Sequence, residues 1–214
     1  MTLLEPQRRR GRLRVYLDGA YAFSIATELA HQHGLHEGQA IDQAAVAQLQ
    51  MTDALLRCVD SALRLLARRP HSERELFDAL RRRGFARPIV AETVDRLQDF
   101  GYVDDRAFAE FWVETRDASS PRSKRLLQAE LRRRGVEAAT AAAATADIAD
   151  EDAAYRAASR RLRAFAALNE EAFRRRLGGF LLRRGFSYAV AERVVSRCWR
   201  ELGHPDAGSE AGDV

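Results

Sequence analysis

The sequence is short of the residues that most often announce a chemistry. It holds two cysteines in 214 residues, Cys58 and Cys198. Their separation fits no metal-binding spacing and predicts two free thiols in a cytoplasmic protein, not a disulfide framework. No apolar run approaches the ~20 residues that cross a bilayer, so no membrane association is expected. The opening MTLLEPQRRRGR has no apolar stretch followed by a cleavage site, so no secretory signal is expected. There is no glycine-rich loop followed by lysine, no GxGxxG after a strand and no nucleophile elbow. The expectation is therefore a protein with no catalytic residue, no resident metal and no cofactor. Asp104-Asp105 reads as a capped helix start, and His31, His33 and His36 as surface residues at a helix end.

Lysine is nearly missing as well. Of 35 basic residues only Lys124 is a lysine, and the rest are arginine. The net charge is +4 and the pI about 9.5, mildly basic. Arginine suits forked contacts with carboxylates and phosphates. A GC-rich genome raises arginine usage too, so composition alone points to no particular partner.

What the sequence has is a period. LRRRGF at Leu80–Phe85 returns as LRRRGV at Leu131–Val136 and as LLRRGF at Leu181–Phe186. Gly84, Gly135 and Gly185 lie 51 and 50 residues apart. Eight residues before each glycine stand Leu76, Leu127 and Leu177, and four before it Leu80, Leu131 and Leu181. That spacing of four places both leucines on one helical face. One residue after the glycine stand Phe85, Val136 and Phe186. Each string is first a helix stop: glycine takes the left-handed conformation, and arginines in the last turn complement the helix dipole. Three copies at one period imply a repeated structural unit.

Each unit predicts three helices. Thr52–Arg69 is a long amphipathic run ended by Pro70, and Ser72-Glu-Arg-Glu75 reads as a capping box opening the next helix. Pro88 sits near the start of a third helix that Gly101 closes. Asp104 opens the second unit, whose alanine-rich last helix spans about Glu137–Ile148. The third unit starts near Asp150, with further helices near Asn169–Arg184 and Ser187–Leu202. Before them, RLRVYLDGAYAFSI alternates around Asp18-Gly19 as a β-hairpin, with Leu13, Val15 and Leu17 answered by Tyr21, Phe23 and Ile25. Short helices follow near Thr27–His33 and Asp42–Gln50. The fold class is thus mainly α: three tandem three-helix repeats in an elongated curved array, preceded by a small N-terminal β-hairpin/helix module. The expected boundaries are residues 1–50 for that module, 51–101, 102–149 and 150–202 for the repeats, and 203–214 for a disordered tail. Trp112 and Trp199 are expected in cores; the alternative for Trp112 is partial exposure at a partner contact.

These residues resemble a known family. ARRPHSERELFDALRRRGF, LQDFGYVDDRAFAEFWVETR, the LRRRGV helix and FLLRRGFSYAVAERVV, in this order and spacing, are similar to the RecX regulatory proteins, modulators of the RecA recombinase. The hairpin start resembles extended members with an extra N-terminal module. The resemblance implies a bent body of three repeats that binds the RecA–DNA filament in its helical groove. It implies suppression of ATP hydrolysis, strand exchange and the co-protease activity behind the SOS response, with weak DNA binding and no catalysis. Stacked units with helices of ~20 Å could reach across more than one filament subunit. The contact candidates are Arg81, Arg82 and Arg83, Arg122, Lys124 and Arg125, Arg132, Arg133 and Arg134, and Arg183 and Arg184. The alternatives are a DNA-binding protein acting without RecA through helix-turn-helix-like repeats, and a solenoid adaptor for some other protein.

Overall fold

A computed structural model describes residues 2–7 and 11–203. The expected tail, 203–214, lies outside them from residue 204 onward. The chain divides into two compact units, residues 1–69 with 76–103, and residues 70–75 with 104–214.

The first unit opens with a three-stranded antiparallel sheet in the order β1 (Thr2–Pro6), β2 (Arg12–Leu17), β3 (Ala20–Ala26). The β2–β3 turn is Asp18-Gly19, both at positive φ (+50° and +80°), the conformation that matches strand twist in a two-residue hairpin. Val15 faces Phe23 and Leu13 faces Ile25, as the alternation predicts. An irregularity between Val15 and Tyr16 shifts the register beyond them. Tyr21 consequently pairs with Tyr16, stacks edge-on to it at 5.9 Å and stays exposed, instead of joining the buried face. The hairpin also gains β1, which pairs Thr2 with Leu17 through to Pro6 with Leu13. Its short segment offers little alternation to read. Val15, Phe23 and Ile25 pack on α1 (Thr27–Gln32) and on Leu49 of α2 (Gln43–Leu66).

Helix α2 corrects the expected layout. Two helices with a boundary near residue 50 are one helix of 24 residues, capped by Asp42, whose carboxylate accepts from Ala45 N. Nothing between Gln43 and Leu66 is a proline or glycine, so the helix has no residue at which to stop. Asp53, buried on α2, ties the sheet down. It accepts from both Arg12 guanidinium nitrogens, at 3.1 and 2.9 Å, and from Ala26 N at 2.9 Å. The same unit holds α3 (Glu73–Arg82) from Leu76 onward and α4 (Arg87–Asp99), around Cys58, Leu76, Leu80, Val90 and Val94.

The second unit holds two further three-helix sets. The first is α5 (Asp105–Ser119), α6 (Lys124–Arg133) and α7 (Ala138–Ala144). The other is α8 (Asp150–Ser159), α10 (Glu170–Arg183) and α11 (Tyr188–Glu201), with a single turn, α9 (Leu162–Phe165), between α8 and α10. Local capping sets most starts. Asp104, Ser123, Asn169 and Ser187 each accept from a backbone N–H of the first turn that follows. Phe108, Leu131, Val136 and Ala141 build one core; Phe173, Leu177, Leu181, Phe186 and Val194 build the other. Trp199 is buried beside Phe173, ring centroids 5.1 Å apart.

Cys58 and Cys198 are both free and buried, and burial pushes the Cys198 thiol up to about 11. No helix among the described residues is long and apolar enough to cross a membrane. None of the described His, Cys, Asp and Glu residues gather in groups of three able to hold a metal.

Removing the Asp53 carboxylate leaves the Ala26 N–H without its acceptor and Arg12 with Ser24 O alone. Asp53→Ala is expected to cost about 3–5 kcal/mol in urea unfolding, far more than substitution of an exposed aspartate such as Asp99.

Candidate partner-binding surface

The repeated arginine-glycine string has two different jobs, separated by position. The last basic place of each copy, immediately before the glycine, makes contacts within the fold. Arg134 lies with its guanidinium carbon 3.6 Å from the Trp112 ring centroid, donates to Glu130 O at 3.1 Å and pairs with Glu75 at 3.1 Å. Arg184 lies 4.4 Å from the Phe180 ring and donates to Ser120 Oγ at 2.6 Å and Pro121 O at 3.1 Å. Arg83 donates to Ser61, at both its hydroxyl and its carbonyl.

The glycines that follow Arg134 and Arg184 form joints between successive repeats. Ser72 Oγ donates to Arg134 O at 2.5 Å while accepting from Glu75 N. The neighbouring Glu73 N–H reaches Asp105 at 2.8 Å. The next joint repeats the plan. Ser123 N donates to Arg184 O at 3.1 Å, and Lys124 N reaches Asp150 at 2.7 Å. In each, the first turn of one second helix sits on the glycine that ends the next. An added Cβ on Gly135 would lie 2.4 Å from Arg74 Cβ. On Gly185 it would lie 2.6 Å from Ser123 Oγ and 2.8 Å from Leu126 Cβ. Gly84 also has positive φ, but a Cβ there meets nothing within 4 Å.

The other expected contact residues divide the same way. Arg122 pairs with Glu130, a buried carboxylate that also takes Trp112 Nε1 at 3.0 Å and Arg116 Nε at 3.3 Å. Burial, and then the guanidiniums of Arg116, Arg184 and Arg134, pull the Arg122 pKa below its ordinary value. Lys124 Nζ donates to Ala146 O at 2.9 Å. Arg81 donates to Phe85 O. Arg82, Arg125, Arg132, Arg133 and Arg183 are exposed and make no hydrogen bond or ion pair among the described residues.

Two arginine groups draw mainly on residues outside the repeated string. In the first unit, Arg12, Arg57, Arg64, Arg68 and Arg83 line an open cleft of about 980 Å³ with Phe85, Ser61 and the carboxylate of Asp60. Arg57 and Arg64 stand seven residues apart on one face of α2, and Arg68 follows four residues later, just past the end of the helix. In the second unit, Arg160 donates to Ala118 O at 2.9 Å and Arg161 lies 5.6 Å from the Phe180 ring. Burial, then Arg161 and Arg160, lower the pKa of Arg184. No sequence pattern joins these residues; only the docking of α8 and α10 near the end of α5 does.

The architecture defines a class: a tandem three-helix-repeat protein with an N-terminal sheet. Comparison with known proteins narrows it. The chain matches the regulatory protein RecX N-terminal domain over residues 1–42 and the first, second and third RecX three-helix domains over 58–97, 104–144 and 149–195. A regulatory protein RecX from Mycobacterium sp. (strain KMS) is 43% identical over 141 residues, covering 63% of this chain and 77% of that protein. One from Thermobifida fusca is 40% identical, covering 67% and 79%. A crystal structure of a regulatory protein RecX shares the fold with a TM-score of 0.64 at 22% identity, covering 92% of this chain and all of that one. The chain belongs to the RecX family of regulatory proteins.

The joint geometry ranks the three glycines. Gly84→Ala is expected to cost the ~1–2 kcal/mol of a left-handed non-glycine residue. Gly135→Ala and Gly185→Ala add an overlap comparable to core overpacking, a further ~1–3 kcal/mol. Urea midpoints of the three variants check the order, and equal losses would remove the joint from the account.

Proposed function

We propose that this protein is a cytoplasmic regulator that binds the RecA–DNA filament and suppresses its ATP hydrolysis, strand exchange and co-protease activity. It thereby damps recombination and the SOS response. It acts by binding, without chemistry of its own. Membership in the RecX family supports the partner. The observation that carries the surface is the split within each basic string. Arg134 and Arg184 are consumed inside the fold, whereas Arg82, Arg132, Arg133 and Arg183 project uncommitted from the helix ends. Free guanidiniums at successive repeats are suited to a polymer that presents carboxylates or phosphates at intervals.

A second reading has its own observation. The cleft of the first unit sets five guanidiniums against two carboxylates, Asp60 beside Arg64 and the buried Asp53 beside Arg12 and Arg57, with the half-buried Phe85 ring at its wall and Arg57 5.8 Å from that ring. Such a wall suits the phosphates of a nucleic acid strand, whether RecA is present or not.

One assay addresses the first reading. Purified protein added to RecA on single-stranded DNA is expected to slow ATP hydrolysis at micromolar concentration. Arg132→Ala/Arg133→Ala is expected to weaken that inhibition several-fold with unchanged helical circular dichroism. Arg134→Ala should lower the unfolding midpoint instead. An inert wild-type protein would overturn the reading.

Salt dependence addresses the second. DNA binding through the cleft should show a log–log slope of about −0.7 to −0.9 per phosphate contact. That slope should shrink in Arg57→Ala/Arg64→Ala/Arg68→Ala and stay put in Arg132→Ala/Arg133→Ala.

A further inference from the structure

The third repeat lacks a side chain that the other two possess. Seven residues before the repeated glycine stand Phe77, Gln128 and Gly178. Phe77 is half-buried and packs against the core of its own unit. Gln128 Nε2 donates to Thr145 Oγ1 at 2.9 Å and so bridges the second helix of its repeat to the segment that closes the third. Gly178 can do neither. Where the other repeats are filled or bridged, α10 and α11 leave an open hollow of about 140 Å³. Arg174, Gly178 and Leu182 form one wall, and Tyr188, Glu192 and Val195 the other. These residues recur at helical spacing, so each wall is one face of its helix.

No local reason requires the glycine. Gly178 has an ordinary helical backbone, and a Cβ built on it meets nothing within 4 Å. A glycine in a helix interior costs about 1 kcal/mol relative to alanine. The fold therefore accepts that cost without any steric or conformational return inside the chain. The apolar rim is left in water: Leu182 is 44% exposed and Tyr188 71%.

We propose that this hollow is a socket for one bulky apolar side chain, a leucine or phenylalanine, presented by the protein filament to which this chain binds, and that the residue beside it is basic. The inference rests on the filament-binding reading above. The volume matches the ~150 Å³ of an engineered apolar cavity that holds one benzene ring. The charge follows from the partners already made. Arg174 is committed to Glu170 at 2.8 Å and Ser196 at 3.0 Å. The Glu192 carboxylate at the rim makes no hydrogen bond or ion pair among the described residues. The uncompensated charge at the mouth is negative, and a lysine or arginine next to the inserted side chain complements it. A single anchor in a rimmed pocket is the arrangement that concentrates binding energy in protein interfaces.

The test restores what the other repeats have. Gly178→Phe places in the third repeat the side chain that Phe77 supplies in the first. The expected result is a thermal midpoint equal to or above wild type, with inhibition of filament ATP hydrolysis weakened at least tenfold. Glu192→Arg reverses the rim charge without touching the core, and should weaken inhibition several-fold at an unchanged midpoint. Wild-type potency in a folded Gly178→Phe protein would overturn the socket while leaving filament binding intact. Should Gly178→Phe fail to fold, wild-type potency in Glu192→Arg overturns it. A wild-type protein that does not inhibit at all would sink the filament reading, and the socket with it.

Discussion

The contact on which the second unit depends is the seating of one helix's first turn on the glycine that ends the next repeat's second helix. Two groups that every helix leaves unsatisfied meet there: free N–H groups at the start of one and free carbonyls at the end of the other. Ser72 spans the gap at the first joint by donating to Arg134 O, and Ser123 spans it at the second through its backbone N–H to Arg184 O. Asp105 and Asp150, from the opening of the following first helix, take one further N–H each. The glycine is needed twice over, for its left-handed backbone and for the bare Cα that lets the neighbour approach. A larger residue would have to satisfy both demands at once.

That joint explains why the basic residue before the glycine is arginine. Arg134 meets a carboxylate, a carbonyl and an indole face with one side chain. A planar fork can do this, and a lysine ammonium cannot present donors in those directions while lying flat on a ring. The lone lysine sits where a point charge suffices, against the carbonyl of Ala146. Part of the arginine excess is therefore spent on holding repeats together. Glu130 shows the electrostatic consequence. One buried carboxylate serves Arg116, Arg122 and the Trp112 N–H, so neutralisation is shared and the surrounding surface stays positive.

Local chemistry was legible in the sequence and distant chemistry was not. Ser72, Asp104, Asn169 and Ser187 could be recognised as helix starts because a cap needs only its own next turn. The repeat was legible because its leucines and glycines recur at one interval. The continuity of α2 was obscured because amphipathicity changes partner midway. Leu49 faces the sheet, whereas Leu55 and Cys58 face the helices of the first repeat. No local pattern joins the cleft arginines, because Arg12 comes from a strand and Arg83 from a helix end far along the chain. The string LRRRG was read as one contact surface, yet its members part company at a single step. Arg132 and Arg133 face water, and Arg134 lies against Trp112.

This adjacency has a mechanical consequence. The residues proposed to meet a partner are covalent neighbours of the residue that locks the joint, on the same final helical turn. A partner that pulls on Arg132 or Arg133 acts within one or two residues of the carbonyl that Ser72 holds. Gly135 itself lies close against Arg74, where an added Cβ would come within 2.4 Å of the Arg74 Cβ. A contact surface mounted on such a turn is pre-organised, and less side-chain and backbone freedom remains to be lost when the partner arrives. Rigidity at the joints and the proposed contact at the helix ends thus draw on the same short string, at different positions.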